Sequence, residues 1–242
     1  MLLFGTPNTD PSLPAFLQGL RELGYVEGQN ITIEYRYAEG KPDRLRGLAG
    51  ELVAIKPDLI FALGGDVAPS VRVATTTIPI VVAVSNDPVQ SGLVASLARP
   101  GGNITGVTFV SSDLAAKRLQ FLRDIAPSLN RVGVMWNPDH VDPEYREVQS
   151  AAKTLGIQVQ SLEVRGAEDF ATAFDAATNN RIQALMPITS RLMLINRVRI
   201  IEFSKQHQLL LASGFGPWAR EGALLSWSRC GCKHETCGSL CR

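Results

Sequence analysis

The stretch "IPIVVAV" (Ile78–Val84) is apolar at nearly every position and is bordered by segments of helical period. A strand without in–out alternation has to be covered on both faces, the condition of a parallel sheet packed between helices. The same grammar runs along the whole chain. Strands are predicted at Leu2–Phe4, Ile31–Tyr37, Leu59–Leu63, Ile78–Val84 and Thr105–Phe109, and again at Arg131–Trp136, Gln158–Val164, Ala184–Pro187, Leu209–Ala212 and Ala223–Ser226. Between them lie helical patterns. Pro14–Gly24 places Phe16, Leu17, Leu20 and Leu23 on one face, with Gly24 where a helix C-terminus favours positive φ. Asp43–Lys56 carries Leu45, Leu48, Leu52 and Val53, and Ala115–Ile125 carries Leu119, Leu122 and Ile125. Asp142–Leu155, Ala167–Asn179 and Ser190–His207 continue the pattern.

Repeated β-α-β order predicts an α/β fold of parallel sheets with helices on both faces. About ten strands crowd one sheet, and their order falls into two similar blocks. The reading is two Rossmann-like lobes, residues 1–108 and 109–227, meeting near Phe109–Asp113, where a polar "SSD" follows the fifth strand. Charge excludes some partners. Lys plus Arg number 24 against 23 Asp plus Glu, a net charge of +1, so no basic footprint for nucleic acid or an anionic membrane is present. No apolar run approaches the roughly 18 residues of a membrane span. Met1 opens directly onto an apolar strand, and no signal peptide is visible in the chain.

Motifs for catalysis are missing. A dinucleotide-type G-x-G-x-x-G does not follow the first strand, and no G-x-S-x-G elbow occurs. His140, His207 and His234 have no nucleophile nearby in sequence. The expectation is therefore no catalytic residue, cofactor or metal site. Candidate binding residues instead lie after strands, where open α/β sheets take ligands. "LGGD" places Gly64, Gly65 and Asp66 at a strand-to-helix turn, and "SNDP" places Ser85, Asn86 and Asp87 after the fourth strand. Asp66 reads either as an N-cap or as part of a ligand cradle. Asp87 suits a turn as well as a ligand.

Three stretches carry a resemblance: "FLQGLRELGYVEGQNITIEYRYAEGKPDRL", "ATTTIPIVVAVSNDPVQSGLVASLARPGGNITGVTF" and "LAAKRLQFL". They resemble uncharacterised ABC-transporter substrate-binding proteins of the tryptophan/tyrosine-binding type, from about Leu2 to Trp227. The resemblance implies a type I periplasmic binding protein, with two lobes that close on a ligand by hinge motion and no catalytic residues. It implies a membrane-bound ABC permease as partner, and a periplasmic or extracytoplasmic location reached with a leader that this chain does not show.

Two further departures stand out. Relatives often carry a hydroxyl residue near the Gly65–Asp66 turn. An ionised Asp66 facing the pocket would repel a carboxylate and favour an amine, whereas an Asp66 that caps its own helix would be silent. The other departure is the ending "SRCGCKHETCGSLCR", which holds Cys230, Cys232, Cys237 and Cys241 with His234. Paired C-x-x-C hooks for zinc are lacking, and disulfides confined to one terminus would staple nothing else. Codons permitted by this tail, read one nucleotide out of frame, spell the amphipathic helix expected from relatives. Residues 228–242 are thus expected to be frameshifted and outside the fold, with the C-terminal return to the first lobe missing.

The function expected is solute binding for an ABC importer. Thr6, Gly65, Asp66, Ser85, Asn86 and Asp87 should face Asn137, Thr189, Ser190, Phe215 and Trp218 across a cleft. Helix-start N–H groups near Gly65 and Ser190 would suit a carboxylate, Asp87 an ammonium, and Phe215 or Trp218 an apolar body. An aromatic or other apolar amino acid fits all three. The alternatives are a ligand-sensing regulatory domain of the same fold, which would carry a helix-turn-helix, and a Rossmann-like enzyme.

Overall fold

The computed structural model describes residues 1–8, 10, 12–108, 114–140, 143–216 and 218–226. The expected lobe boundary at Phe109–Asp113, the helix start at Asp142, Trp227 and the cysteine tail lie outside the described residues.

Two five-stranded parallel sheets form. The first contains β1 (Leu2–Leu3), β2 (Arg36–Tyr37), β3 (Ile60–Leu63), β4 (Ile80–Val84) and β5 (Ile104–Thr108) in the order β2-β1-β3-β4-β5. The second contains β6 (Arg131–Trp136), β7 (Gln158–Glu163), β8 (Ala184–Pro187), β9 (Leu210–Ser213) and β10 (Leu225–Ser226) in the order β10-β9-β8-β6-β7. Connectivity is the same in both, so each sheet reverses its direction of growth beside its first strand. That reversal opens a crevice at the carboxyl ends of β1 and β3, and of β6 and β8.

The helices are α1 (Leu13–Glu22), α2 (Leu45–Ala54), α3 (Ala68–Ala74), α4 (Ala115–Ile125), α5 (Glu144–Leu155), α6 (Phe170–Asn179), α7 (Arg191–Ile195), α8 (Arg197–Gln206) and α9 (Trp218–Glu221). Gly24 takes φ 85° and donates to the Arg21 carbonyl, the expected end of α1. Leu23 and Ile125, expected on core faces, are exposed because each lies at the end of its helix. The single helix expected at Ser190–His207 is broken at Asn196, whose Nδ2 donates to the Leu192 carbonyl and competes with continuation of the helix. The long strand expected at Ile31–Tyr37 joins the sheet at Arg36–Tyr37, and Ile31 makes an isolated bridge to Glu27; Asn30 ties the preceding turn by accepting from Val26 N and donating to the Gly24 carbonyl.

One apolar cluster packs Leu119 and Leu122 of α4 with Val148 and Ala152 of α5 and with Val132 and Val134 of β6. A larger one crosses from lobe to lobe, joining Leu2, Ile60 and Ile80 to Leu185, Leu192 and Met193. Leu192 and Met193 of α7 are fully buried, each contributing about 1.5–3 kcal/mol by leaving water. Ile195, at the end of α7, lies 3.7 Å from the place a Cβ of Gly40 would take. This short helix is thus the second lobe's wedge against the first.

Candidate functional site

The site grows out of the two crevices. Gly64, after β3, holds φ +117°, and a Cβ there would overlap the Arg191 side chain. A Cβ on Gly65 would lie 2.7 Å from Asn86 Oδ1 and 2.9 Å from His140 Cε1. Both glycines therefore let the strand-end loops of the two lobes touch. Asp66 does not cap α3, which begins at Ala68 behind Val67. Its carboxylate crosses the cleft: Oδ1 lies 2.5 Å from His140 Nδ1, and Oδ2 accepts from Arg191 N at 3.2 Å. Both side chains of the Asp66–His140 pair are buried. Burial alone would push the Asp66 carboxyl up, but the charge and hydrogen bond of His140, with the N–H and charge of Arg191, outweigh it and hold it below its ordinary value.

Ser85 Oγ donates to the Thr189 carbonyl at 3.1 Å, a second bond across the cleft. Behind Thr189, its N–H donates to Glu144 Oε2 at 3.1 Å, and Glu144 Oε1 pairs with Arg118, both acid and base being almost fully buried. Thr189 Oγ1 fills the space that a side chain on Gly214 would need. Asn86 and Asn137 are buried at their strand ends, and Asn137 Oδ1 accepts from Asp139 N at 2.9 Å. Thr6 is half-buried in the loop after β1. Arg191 extends from α7 into the first lobe, where Nη1 donates to Asp10 Oδ1 at 3.4 Å and to Ser12 Oγ at 3.3 Å. Burial pulls its guanidinium below the usual arginine value, opposed by Asp10 and Asp66.

Gly65, Asp66, Ser85, Asn86, Thr189 and Ser190 are thus brought to one buried region. Asp87 is turned to another use: its Oδ1 accepts from Val89 N at 2.8 Å and Gln90 N at 3.2 Å, so the carboxylate holds its own turn rather than facing Arg191 or His140. The helix start at Ser190 is spent internally as well, because Ser190 Oγ accepts from Met193 N and the first helical N–H goes to Asp66. Trp218 is a core plug, fully buried and stacked at 6.2 Å on half-buried Phe215. Asp10, Arg118, His140, Glu144 and Arg191 complete the polar region and were not anticipated. His140 and Arg191 lie just after strand ends, the signal that singled out Asn137 and Ser190. Among the described residues, no group of three or more His, Cys, Asp or Glu side chains could hold a metal ion, and no helix is long and apolar enough to cross a membrane.

Two doubly wound lobes that press polar strand-end loops together define a periplasmic binding protein-like α/β fold. Residues 5–226 match the sequence profile described as ABC transporter substrate binding protein, and the chain belongs to that family. Its members are binding proteins that take small ligands and work with ABC permeases, typically outside the cytoplasm. A "Tyrosine-binding protein" of Clostridioides difficile (strain R20291) is 29% identical over 208 residues; the match covers 81% of this chain and 59% of that relative's length. A conserved domain protein from Vibrio cholerae O1 biovar El Tor superposes with a TM-score of 0.83 at 25% identity, over 93% of this chain and 76% of the other. An ABC domain from Streptococcus pneumoniae in complex with L-Trp gives 0.79 at 21% identity, also over 93% and 76%. A ligand-free, open substrate binding protein with adhesive properties from Clostridium difficile gives 0.54 at 27% identity, over 92% and 75%.

Proposed function

We propose that this protein is the solute-binding component of an ABC importer and that it takes an aromatic or other apolar amino acid between lobes formed by residues 1–108 and 109–227. It works by binding and release, without catalysis, in an extracytoplasmic compartment. The observation that carries this reading is the set of direct bonds between the two crevices, Asp66 to His140 and Ser85 to Thr189. Such bonds exist only when the lobes are shut, so closure can be coupled to a ligand held at the same strand ends. Two comparisons support it. The chain superposes better on the L-Trp complex than on the open, ligand-free protein, although it is less identical to the former. The Clostridioides relative is a tyrosine-binding protein.

Gly65, Asp66, Ser85, Asn86, Asn137, Thr189 and Ser190 supply the polar floor in this reading, Thr6 the rim and Phe215 an apolar wall. Calorimetric and thermal-shift screening of the purified protein should show stabilisation by L-tyrosine, L-tryptophan or another apolar amino acid. Tight binding of a phosphorylated sugar, with indifference to every amino acid tried, would overturn it.

A further inference from the structure

Asp10 and Arg191 come from opposite lobes, 181 residues apart in sequence. The Asp10 side chain is fully buried, and its two oxygens are used unequally. Oδ1 accepts from Ser12 N at 2.9 Å and from Arg191 Nη1, whereas Oδ2 is buried with no hydrogen-bond partner among the described residues. A carboxylate oxygen removed from water is costly unless a donor meets it. Arg191 is nine-tenths buried and equally under-used: Nη1 makes the two long contacts at 3.4 and 3.3 Å, and Nε and Nη2 donate to no protein group among the described residues. Charge-assisted N–H···O bonds ordinarily close to about 2.7–2.9 Å. The pair is therefore loose and one-ended: Asp10 Oδ2 is buried and unmet, and two guanidinium nitrogens of Arg191 have no protein acceptor among the described residues. Nearby charge is already committed, since Asp66 is engaged by His140 and by the Arg191 backbone. Thr189 Oγ1 is a further buried polar atom without a hydrogen-bond partner among the described residues.

An α-amino-acid headgroup carries the missing halves. Its planar carboxylate matches the guanidinium fork, and its ammonium donates where Oδ2 can accept. We propose that Arg191 and Asp10 are the charge-recognition pair for a zwitterionic ligand, Arg191 Nε and Nη2 receiving the α-carboxylate and Asp10 Oδ2 the α-ammonium. This rests on the amino-acid reading above and replaces Asp87 as the ammonium acceptor. One zwitterion would then bond both lobes at once, and an anion without an amine would meet Asp10 with like charge.

The test uses three probes of one shape: L-tyrosine, tyramine, which lacks the carboxylate, and 3-(4-hydroxyphenyl)propionate, which lacks the ammonium. Wild-type protein should prefer L-tyrosine over each analogue by on the order of 100-fold in calorimetry. In Asp10→Asn the preference over the propionate should collapse while that over tyramine persists. In Arg191→Gln the reverse should hold, with Arg191→Lys restoring part of the preference over tyramine. A pair that merely props the lobes together would weaken all three probes alike, and unmoved preference ratios would overturn the assignment alone. Should the variants fail to fold, wild-type indifference to loss of either charged group overturns it. Wild-type protein that binds no apolar amino acid overturns both this inference and the function it rests on.

Discussion

Arg118–Glu144 and Asp66–His140 are both buried acid–base pairs, yet they sit differently in the molecule. The first ties α4 to α5 inside one lobe, and Glu144 also receives the Thr189 N–H. The second joins the loop after β3 to the loop after β6, on opposite lobes. Taking charges out of water costs several kcal/mol per ion, and the pair must offset that cost. For Arg118–Glu144 the exchange happens when the lobe folds. For Asp66–His140 it happens only when the lobes close. The same chemistry should therefore register as stability in one place and as binding-linked closure in the other.

Glu144→Ala should have the largest effect, because it removes at once a buried partner of the Arg118 guanidinium and the acceptor of the Thr189 N–H. A loss of about 3–5 kcal/mol of unfolding free energy in urea is expected. Replacing both partners with apolar residues of similar volume should recover the part owed to the unpaired charge, while the Thr189 N–H still lacks its Glu144 acceptor. A single substitution costing less than about 1 kcal/mol would break the comparison, since the pair would then not be desolvated on folding.

Asp66→Asn should act the other way, leaving the unfolding free energy of ligand-free protein within about 1 kcal/mol while weakening L-tyrosine binding by on the order of 10-fold. The sign of its pH dependence follows from the lowered carboxyl. Asp66 favours closure while ionised, so its contribution is complete above the ordinary carboxyl value of 3.8 and is lost as pH falls through the lower value in the closed form. Affinity should thus hold to about pH 5 and fall below about pH 4, and Asp66→Asn should flatten that acid limb. Equal losses of stability and affinity in this variant would erase the distinction between the two pairs.

How much of this was legible in the sequence divides along the same line. "IPIVVAV" announced β4, whose second face is only half-buried at Val81 and Ala83, and Gly24 announced the end of α1, because both are consequences of neighbouring residues. Strand ends were legible as well, since they follow from strand order: Gly65, Ser85, Asn86, Thr189 and Ser190 lie just after β3, β4 and β8. The pairings across the cleft were not. His140 is 74 residues from Asp66 and Arg191 is 125, and the side chain each one meets is decided by how the lobes dock rather than by local pattern. Asp66 does not cap its helix, and its bonds to the opposite lobe are not deducible from the residues around it. The break at Asn196 was hidden for a smaller reason, a side-chain amide competing with continued backbone pairing.

Asp87 provides the smallest effect and the sharpest control. It is a third carboxylate at a strand end, adjacent in sequence to buried Asn86, and composition alone would rank it with Asp66 as a binding group. Its Oδ1 instead receives two N–H groups of its own loop, contacts that neither lobe closure nor a ligand is needed to make. Asp87→Ala should therefore cost about 0.5–1.5 kcal/mol of stability, the worth of ordinary hydrogen bonds near the surface. The dissociation constant for L-tyrosine should stay within about 2-fold, less than RT in free energy. Measured beside Asp66→Asn and Asp10→Asn, this variant asks whether a strand-end carboxylate matters for binding by its position or by the partner it crosses the cleft to meet. A loss of affinity in Asp87→Ala matching that in Asp10→Asn would return the ammonium to Asp87 and make position, not cross-lobe partnership, the rule.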